Sequence, residues 1–262
     1  VYNRTKSKMR DLVDAGALAV NSPLEVAQNS EIIITIVSDS NDVEEVILGN
    51  EGVINGVNKG SVVIDMSTIS PSVTKEIAAK LKEKDVDMLD APVSGGDTGA
   101  VNGTLAIMVG GEAGVLKRCM PVFDAMGKTI THTGTNGMGQ VVKLCNQILV
   151  SVTNMAVSEA VLFAQKSGVD AQTMIKATKG GAAGSWQLAN LGPKMVDEDF
   201  APGFMIDLQQ KDLRLVLEAA SKINLPLPAL SLVHQMYKSN QANDEGSDGT
   251  QALFKSFKRL AN

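Results

Sequence analysis

The stretch Ser61-Val62-Val63-Ile64-Asp65-Met66-Ser67-Thr68-Ile69-Ser70-Pro71 decides the fold. Its first six residues are mostly β-branched or apolar, the pattern of a strand covered on both faces in a parallel sheet. Ser70 then offers a helix cap and Pro71 a first-turn proline, so a helix is expected as far as about Lys84. Upstream, residues 32–37 repeat the apolar run between Asn29-Ser30 and Ser38-Asp39-Ser40. Downstream, strands are expected at 86–89, 105–109 and 129–133, with a helix over 113–126. Val1-Tyr2-Asn3-Arg4-Thr5 reads as the end of one more strand. Strands alternating with helices in this way mean a doubly wound α/β sheet.

After Gly139 the strand pattern stops. Residues 140–166 form one long helical pattern, followed by shorter ones near 171–179, 185–196, 205–223, 228–240 and 247–260. The expected architecture is a Rossmann-type α/β domain over 1–136, then an all-helical domain over 137–262, with a hinge at 134–139. Neither glycine cluster supplies a dinucleotide turn. Gly134-Thr135-Asn136-Gly137-Met138-Gly139 has the glycine order reversed, and residues 180–185 follow no strand. The first strand and Gly-rich turn of such a domain are therefore expected to be missing from this stretch of chain.

A net charge of −5 with interspersed signs gives no basic stripe, which argues against a nucleic-acid partner. Two cysteines and two histidines, none at ligand spacing, argue against a metal site and a disulfide framework, and each cysteine is expected to be buried. No apolar stretch of about 20 residues is free of charge, so no membrane span is expected. A cytoplasmic location follows, although Val1 is no initiator and a targeting segment stays open.

Lys143 is the first chemical candidate. Its helix is apolar nearly all round except for a stripe at Lys143, Asn146, Gln147, Ser151 and Asn154. A lysine held among amides in a low-dielectric cleft suits proton donation to a carbonyl oxygen; the competing reading is a surface lysine snorkelling to water. Asp90-Ala91-Pro92-Val93-Ser94-Gly95-Gly96 follows a strand end, where bare amides and a hydroxyl suit a carboxylate, unless the glycines merely make a turn. Asn3-Arg4-Thr5 places an arginine, and no acid, where a dinucleotide fold meets the ribose 2′ position. That favours NADP(H), with NAD(H) possible, unless Arg4 is plain surface charge.

The segments VVIDMSTISP (62–71), DAPVSGG (90–96), GMGQVVKLCNQ (137–147) and QKDL (210–213), in this order, resemble the β-hydroxyacid dehydrogenase family along the whole chain. The resemblance implies a Rossmann-type domain followed by a helical one. It implies Lys143 as the catalytic lysine, and Ser94, Gly95 and Gly96 as holders of a small carboxylate substrate. Val37, Ser38, Thr68 and Lys211 are implied on the cofactor side. Asn146-Gln147 and residues 180–185 and 202–208 resemble the branch that reduces 2-hydroxy-3-oxopropionate; 3-hydroxyisobutyrate, succinic semialdehyde and glyoxylate are the alternatives. A non-catalytic assembly module is the alternative class. Lys143 argues against it, although a chain without the Gly-rich turn is expected to bind cofactor poorly. Family members associate through the helical half, so a homodimer or homotetramer is expected.

Overall fold

A computed structural model describes residues 1–261, which divide into two compact units. The first comprises residues 1–95 and 99–143, the second residues 96–98 and those from Leu144 onward. The first part of the chain forms α1 (Arg10–Asp14), α2 (Pro23–Gln28), β1 (Ile32–Thr35), α3 (Ser40–Leu48), β2 (Val62–Asp65) and α4 (Pro71–Lys82). There follow β3 (Asp87–Asp90), β4 (Val93–Ser94), α5 (Gly96–Val101), β5 (Leu105–Gly110), α6 (Ala113–Asp124) and β6 (Gly127–Gly134). Helix α7 (Met138–Lys166) then leads to α8 (Ala171–Thr178), α9 (Trp186–Val196), α10 (Ile206–Lys222), α11 (Pro228–Gln241) and α12 (Leu253–Leu260).

The sheet runs β1-β2-β3-β5-β4, with β6 also paired to β5. Strands β1, β2 and β3 are parallel, as are β5 and β6, but β5 is antiparallel to β3 and β4. The expected parallel sheet is thus a mixed one, because β5 runs against both β3 and β4, with only the short α5 between β4 and β5. All four residues of β2 are buried, as the opening stretch requires. Alternate side chains leave opposite faces. Val63 joins Ile33, Ile47, Ile77 and Leu81 on one side, while Val62 and Ile64 join Ile107, Leu116 and Phe123 on the other.

Several local expectations need correction. Val1–Thr5 form no strand; Val1 is tied to Leu18 and Val20 through backbone hydrogen bonds. Strand β1 is an end member of the sheet, so Ile34 is 42% exposed and Ile36, just past it, 65%. Ser70 does not cap α4 with its side chain; its hydroxyl is hydrogen-bonded to that of Ser72. Helix α3 was signalled by Asp39, whose carboxylate accepts from Ser40 N, and by the Val43/Ile47 spacing.

In the second unit, Leu144 packs with α10, α11 and α12 through Ile206, Leu213, Val216, Val233, Tyr237 and Leu253. Farther along α7, Val157 and Val161 pack with Ile175, Leu188 and Met195 of α8 and α9. The polar stripe of α7 is its buried side: Gln147, Ser151, Asn154 and Ser158 are at most 2% exposed, whereas Leu149 and Phe163 are 69% and 76% exposed. Asn154 donates to Tyr237 Oη and to the Thr250 carbonyl, and Ser158 donates to the Asn154 carbonyl. By length and mean hydropathy (1.5) α7 could cross a membrane, contrary to the expectation from composition. Its buried, hydrogen-bonded stripe instead packs into the helical unit beside Leu144, Val157 and Val161.

Candidate active site

The site is built on the end of β3. Asp90 is fully buried; its Oδ1 accepts from Gly137 N at 2.8 Å and its Oδ2 from Gln140 N at 3.1 Å. Those N–H groups open α7, where the first turn lacks partners inside the helix and a negative charge is favoured. Burial pushes the Asp90 carboxyl above the usual carboxylate range, and these backbone donors pull it back. Gly139 makes the approach possible, since a Cβ there would lie 2.7 Å from the Asp90 carbonyl oxygen. Ser94 stands four residues beyond Asp90, and Lys143 four beyond Gly139, about 6 Å along the helix. Lys143 is only 7% exposed, so it does not snorkel to water.

A second hydrogen-bonded group sits beside the first. Gln140 donates from Nε2 to the Ser67 carbonyl at 2.9 Å and accepts at Oε1 from Ile69 N at 3.1 Å, so one side chain grips the backbone on both flanks of Thr68. Ser67 Oγ accepts from Val37 N at 2.9 Å and donates to Asp65 Oδ1 at 2.7 Å. Thr35 Oγ1 donates to the same oxygen at 2.8 Å, and Ser67 N approaches it at 3.3 Å. Asp65 Oδ2 accepts from none of the described residues. Burial raises this carboxyl to about 6, against the pull of Ser67 and Thr35, and the neighbouring charge of Asp90 raises it further.

Val37, Ser38 and Thr68 therefore follow the C-terminal ends of the parallel strands β1 and β2, where open α/β sheets bind ligands. Ser38 is exposed and Thr68 half-buried, with the adjoining backbone braced by Gln140 and Ser67. Uncharged side chains on a fixed backbone at this edge fit a nicotinamide dinucleotide. Sequence reading missed Asp65, Ser67 and Gln140. The available signal was an acid inside a β-branched run, since a buried acid needs partners.

Ser94 closes the short β4, paired with Ala106 of β5. Gly95 and Gly96 follow at φ +136° and +61°, conformations that a side chain would strain, and both are exposed. In the second unit, Asn146 donates to Gln147 Oε1 at 2.8 Å and Gln147 donates to Asp212 Oδ2 at 2.6 Å. Lys211 pairs with Asp212 Oδ1 at 2.7 Å, so Gln147 and Lys211 meet on one buried acid, with Asn146 joined to it through Gln147.

Asn3, Arg4 and Thr5 lie in an exposed turn where Thr5 N donates to Asn3 Oδ1. Cys119 is buried as expected, but Cys145 is exposed because it lies on the outer side of α7. Among the described residues no group of three His, Cys, Asp or Glu is placed to hold a metal ion.

Residues 1–134 match the family described as the NAD binding domain of 6-phosphogluconate dehydrogenase. Residues 137–257 match that described as the NAD-binding domain of NADP-dependent 3-hydroxyisobutyrate dehydrogenase. The chain is 44% identical over 255 residues to the oxidoreductase YkwC of Bacillus subtilis (strain 168), covering 97% of this chain and 88% of the relative. It is 42% identical over 252 residues to 2-hydroxy-3-oxopropionate reductase of Escherichia coli (strain K12), covering 96% and 86%. Among solved structures, 3-hydroxyisobutyrate dehydrogenase from Salmonella typhimurium is similar with a TM-score of 0.86 at 31% identity, covering 97% and 89%.

The two buried acids should respond oppositely to amide substitution. Asp65 lies at about 6 in the fold against 3.8 for the free side chain. Its stabilising contribution is full below the unfolded value and is lost as pH rises through about 6, a loss of roughly 3 kcal/mol by pH 7.5. Asp65→Asn removes that charge while keeping an acceptor at Oδ1, so it should raise stability at pH 7.5 and flatten this part of the pH profile. Asp90 accepts through both oxygens, so Asp90→Asn turns a donor onto an N–H and should cost about 2–3 kcal/mol. Urea unfolding at pH 5 and 7.5 checks both signs; a destabilised Asp65→Asn at pH 7.5 would contradict this account.

Proposed function

The chain belongs to the β-hydroxyacid dehydrogenase family, and from that premise we propose that it reduces 2-hydroxy-3-oxopropionate to glycerate. The family activity is an NAD(P)-dependent interconversion of a small β-hydroxy acid and its aldehyde. The narrower reading is carried by the 42% identity to the Escherichia coli 2-hydroxy-3-oxopropionate reductase across 96% of the chain. A reduced nicotinamide held beside Val37, Ser38 and Thr68 would supply the hydride for the aldehyde carbon. The ammonium of Lys143 stabilises and protonates the oxygen on which charge develops, a role suited to a buried cation on a rigid helix. Ser94 and the amides of Gly95 and Gly96 hold the substrate carboxylate, with Asn146 and Gln147 orienting its polar end. Val37, Ser38, Thr68 and Lys211 serve the cofactor.

Lys143→Ala should lower kcat at least about 100-fold, the lower range for acid–base catalysis. Steady-state assays with 2-hydroxy-3-oxopropionate, 3-hydroxyisobutyrate, succinic semialdehyde and glyoxylate should give the highest kcat/KM for the first. A higher value for 3-hydroxyisobutyrate would transfer the assignment to the activity named for the Salmonella structure.

Arg4, exposed and without an acid beside it, suits a ribose 2′-phosphate. NADPH should therefore be preferred to NADH, and Arg4→Ala should erase most of the difference in kcat/KM. Equal use of both by the unmodified enzyme would leave Arg4 without a role.

The exposed Leu149 and Phe163 of α7 would be poor surface for a lone subunit, so we propose a homodimer or homotetramer through the helical half. Light scattering at micromolar concentration should show a multiple of the 27.6 kDa chain mass; a monodisperse monomer would overturn this.

A further inference from the structure

Asp65 lies inside the 62–71 segment without being one of its candidate site residues, yet the backbone beside Val37 and Thr68 hangs on it. It ends β2 fully buried, and three donors converge on one of its oxygens: Thr35 Oγ1 at 2.8 Å, Ser67 Oγ at 2.7 Å and Ser67 N at 3.3 Å. A carboxylate costs free energy in such a place unless its position serves something. What it fixes is Ser67. Because the Ser67 hydroxyl proton is committed to Asp65, its oxygen is left facing Val37 N, from which it accepts at 2.9 Å. The Ser67 carbonyl receives Gln140 Nε2, and the same amide holds Ile69 N, so Thr68 is suspended between two fixed peptides.

We propose that Asp65 is a positioning residue for cofactor binding, which acts through Ser67 to fix the Val37–Ser38 turn and the backbone beside Thr68. The inference rests on assigning Val37, Ser38 and Thr68 to the nicotinamide dinucleotide. Asp65 does not touch the cofactor; it sets the orientation of the Ser67 hydroxyl, which would otherwise be free to turn away from Val37 N. Thr35, donating to the same oxygen from β1, ties the strand that leads into Val37 to the same point. Both strand ends thus meet at one atom, Asp65 Oδ1, in addition to the backbone ladder that pairs them.

That geometry makes the charge and the hydrogen bonds separable. Since Oδ1 takes all three donors and Oδ2 none, Asp65→Asn keeps the acceptor and loses the charge. Asp65→Ala loses both. Ser67→Ala cuts the link to Val37 without emptying the place of Asp65. The test is isothermal titration of each variant with NADPH, alongside thermal melting without cofactor and the split of KM for NADPH against kcat. Asp65→Ala and Ser67→Ala should weaken the NADPH dissociation constant about tenfold and raise KM equally, with kcat at saturation within about threefold, as expected for lost preorganisation of a binding surface. Asp65→Asn should return the dissociation constant to within about twofold of the unmodified protein.

A lowered melting temperature with unchanged NADPH affinity in both Asp65→Ala and Ser67→Ala would make Asp65 merely structural and overturn the proposal. An asparagine variant as weak as the alanine one, though equally well folded, would overturn it too, because the hydrogen bonds would then not be what matters. Failure of the unmodified protein to bind NADPH or NADH would instead overturn the cofactor assignment beneath it, and the inference with it.

Discussion

A carboxylate gripping the open end of a helix organises the first unit. Asp90 takes one N–H of α7 on each oxygen, from Gly137 and Gln140, and Gly139 is bare enough to let the helix come down onto the strand end. Burying a charge this way is expensive, and the four unpartnered N–H groups of a helix N-terminus are among the few partners that repay it. Once the contact is made, much of the remaining geometry is fixed by chain length. Ser94 follows four residues from one side of it and Lys143 four residues from the other. The Gln140 side chain then reaches back to the loop after β2. The chain leaves the first unit between Lys143 and Leu144, after these anchors have set the helix in place.

Beyond Leu144 the same helix works by a different rule. Its inner side mixes buried amides and hydroxyls with Leu144, Val157 and Val161, and its outer side carries exposed apolar residues, unlike an ordinary amphipathic helix. The inner amides of Gln147 and Asn154 are spent on Asp212, Tyr237 and the Thr250 carbonyl, and the hydroxyls of Ser151 and Ser158 on carbonyls of α7 itself, so the amide contacts define one arrangement of the bundle more sharply than apolar packing does. Buried donors committed to fixed acceptors make such a network stiff. A rigid helix is a suitable support for a group that must meet a reacting atom within a fraction of an ångström.

Much of this was legible in the sequence, for reasons that can be named. The β-branched run at 61–66 announced a doubly covered strand, and β2 is buried at every position. Lys143 stood out because its neighbours were too apolar for a surface helix, and it is buried. Residues such as Ser67 and Gln140 were not legible, because their importance lies in hydrogen bonds to partners 30 and 71 residues away. The reversal of the sheet at β5 was hidden for a similar reason: strand periodicity carries no direction, and β4 is only two residues long. Exposure of Ile34 and Cys145 was missed because local pattern shows that a residue is apolar, not which side of its element has a neighbour.

Because Lys143, Asn146 and Gln147 ride on one unbroken helix, this part of the molecule is closed to one whole category of evolutionary change. Point substitutions can alter the side chains one at a time. An insertion or deletion of a single residue between Gln140 and Gln147 would turn everything beyond it by about 100° and shift it by about 1.5 Å. Placed before Lys143, it would turn the lysine out of the register that Asp90 sets at the start of the helix; placed after Lys143, it would part the lysine from Asn146 and Gln147. A loop could absorb such an event; a helix held at both ends cannot. Descent in this region must therefore proceed at constant length, with its variation confined to what each position carries.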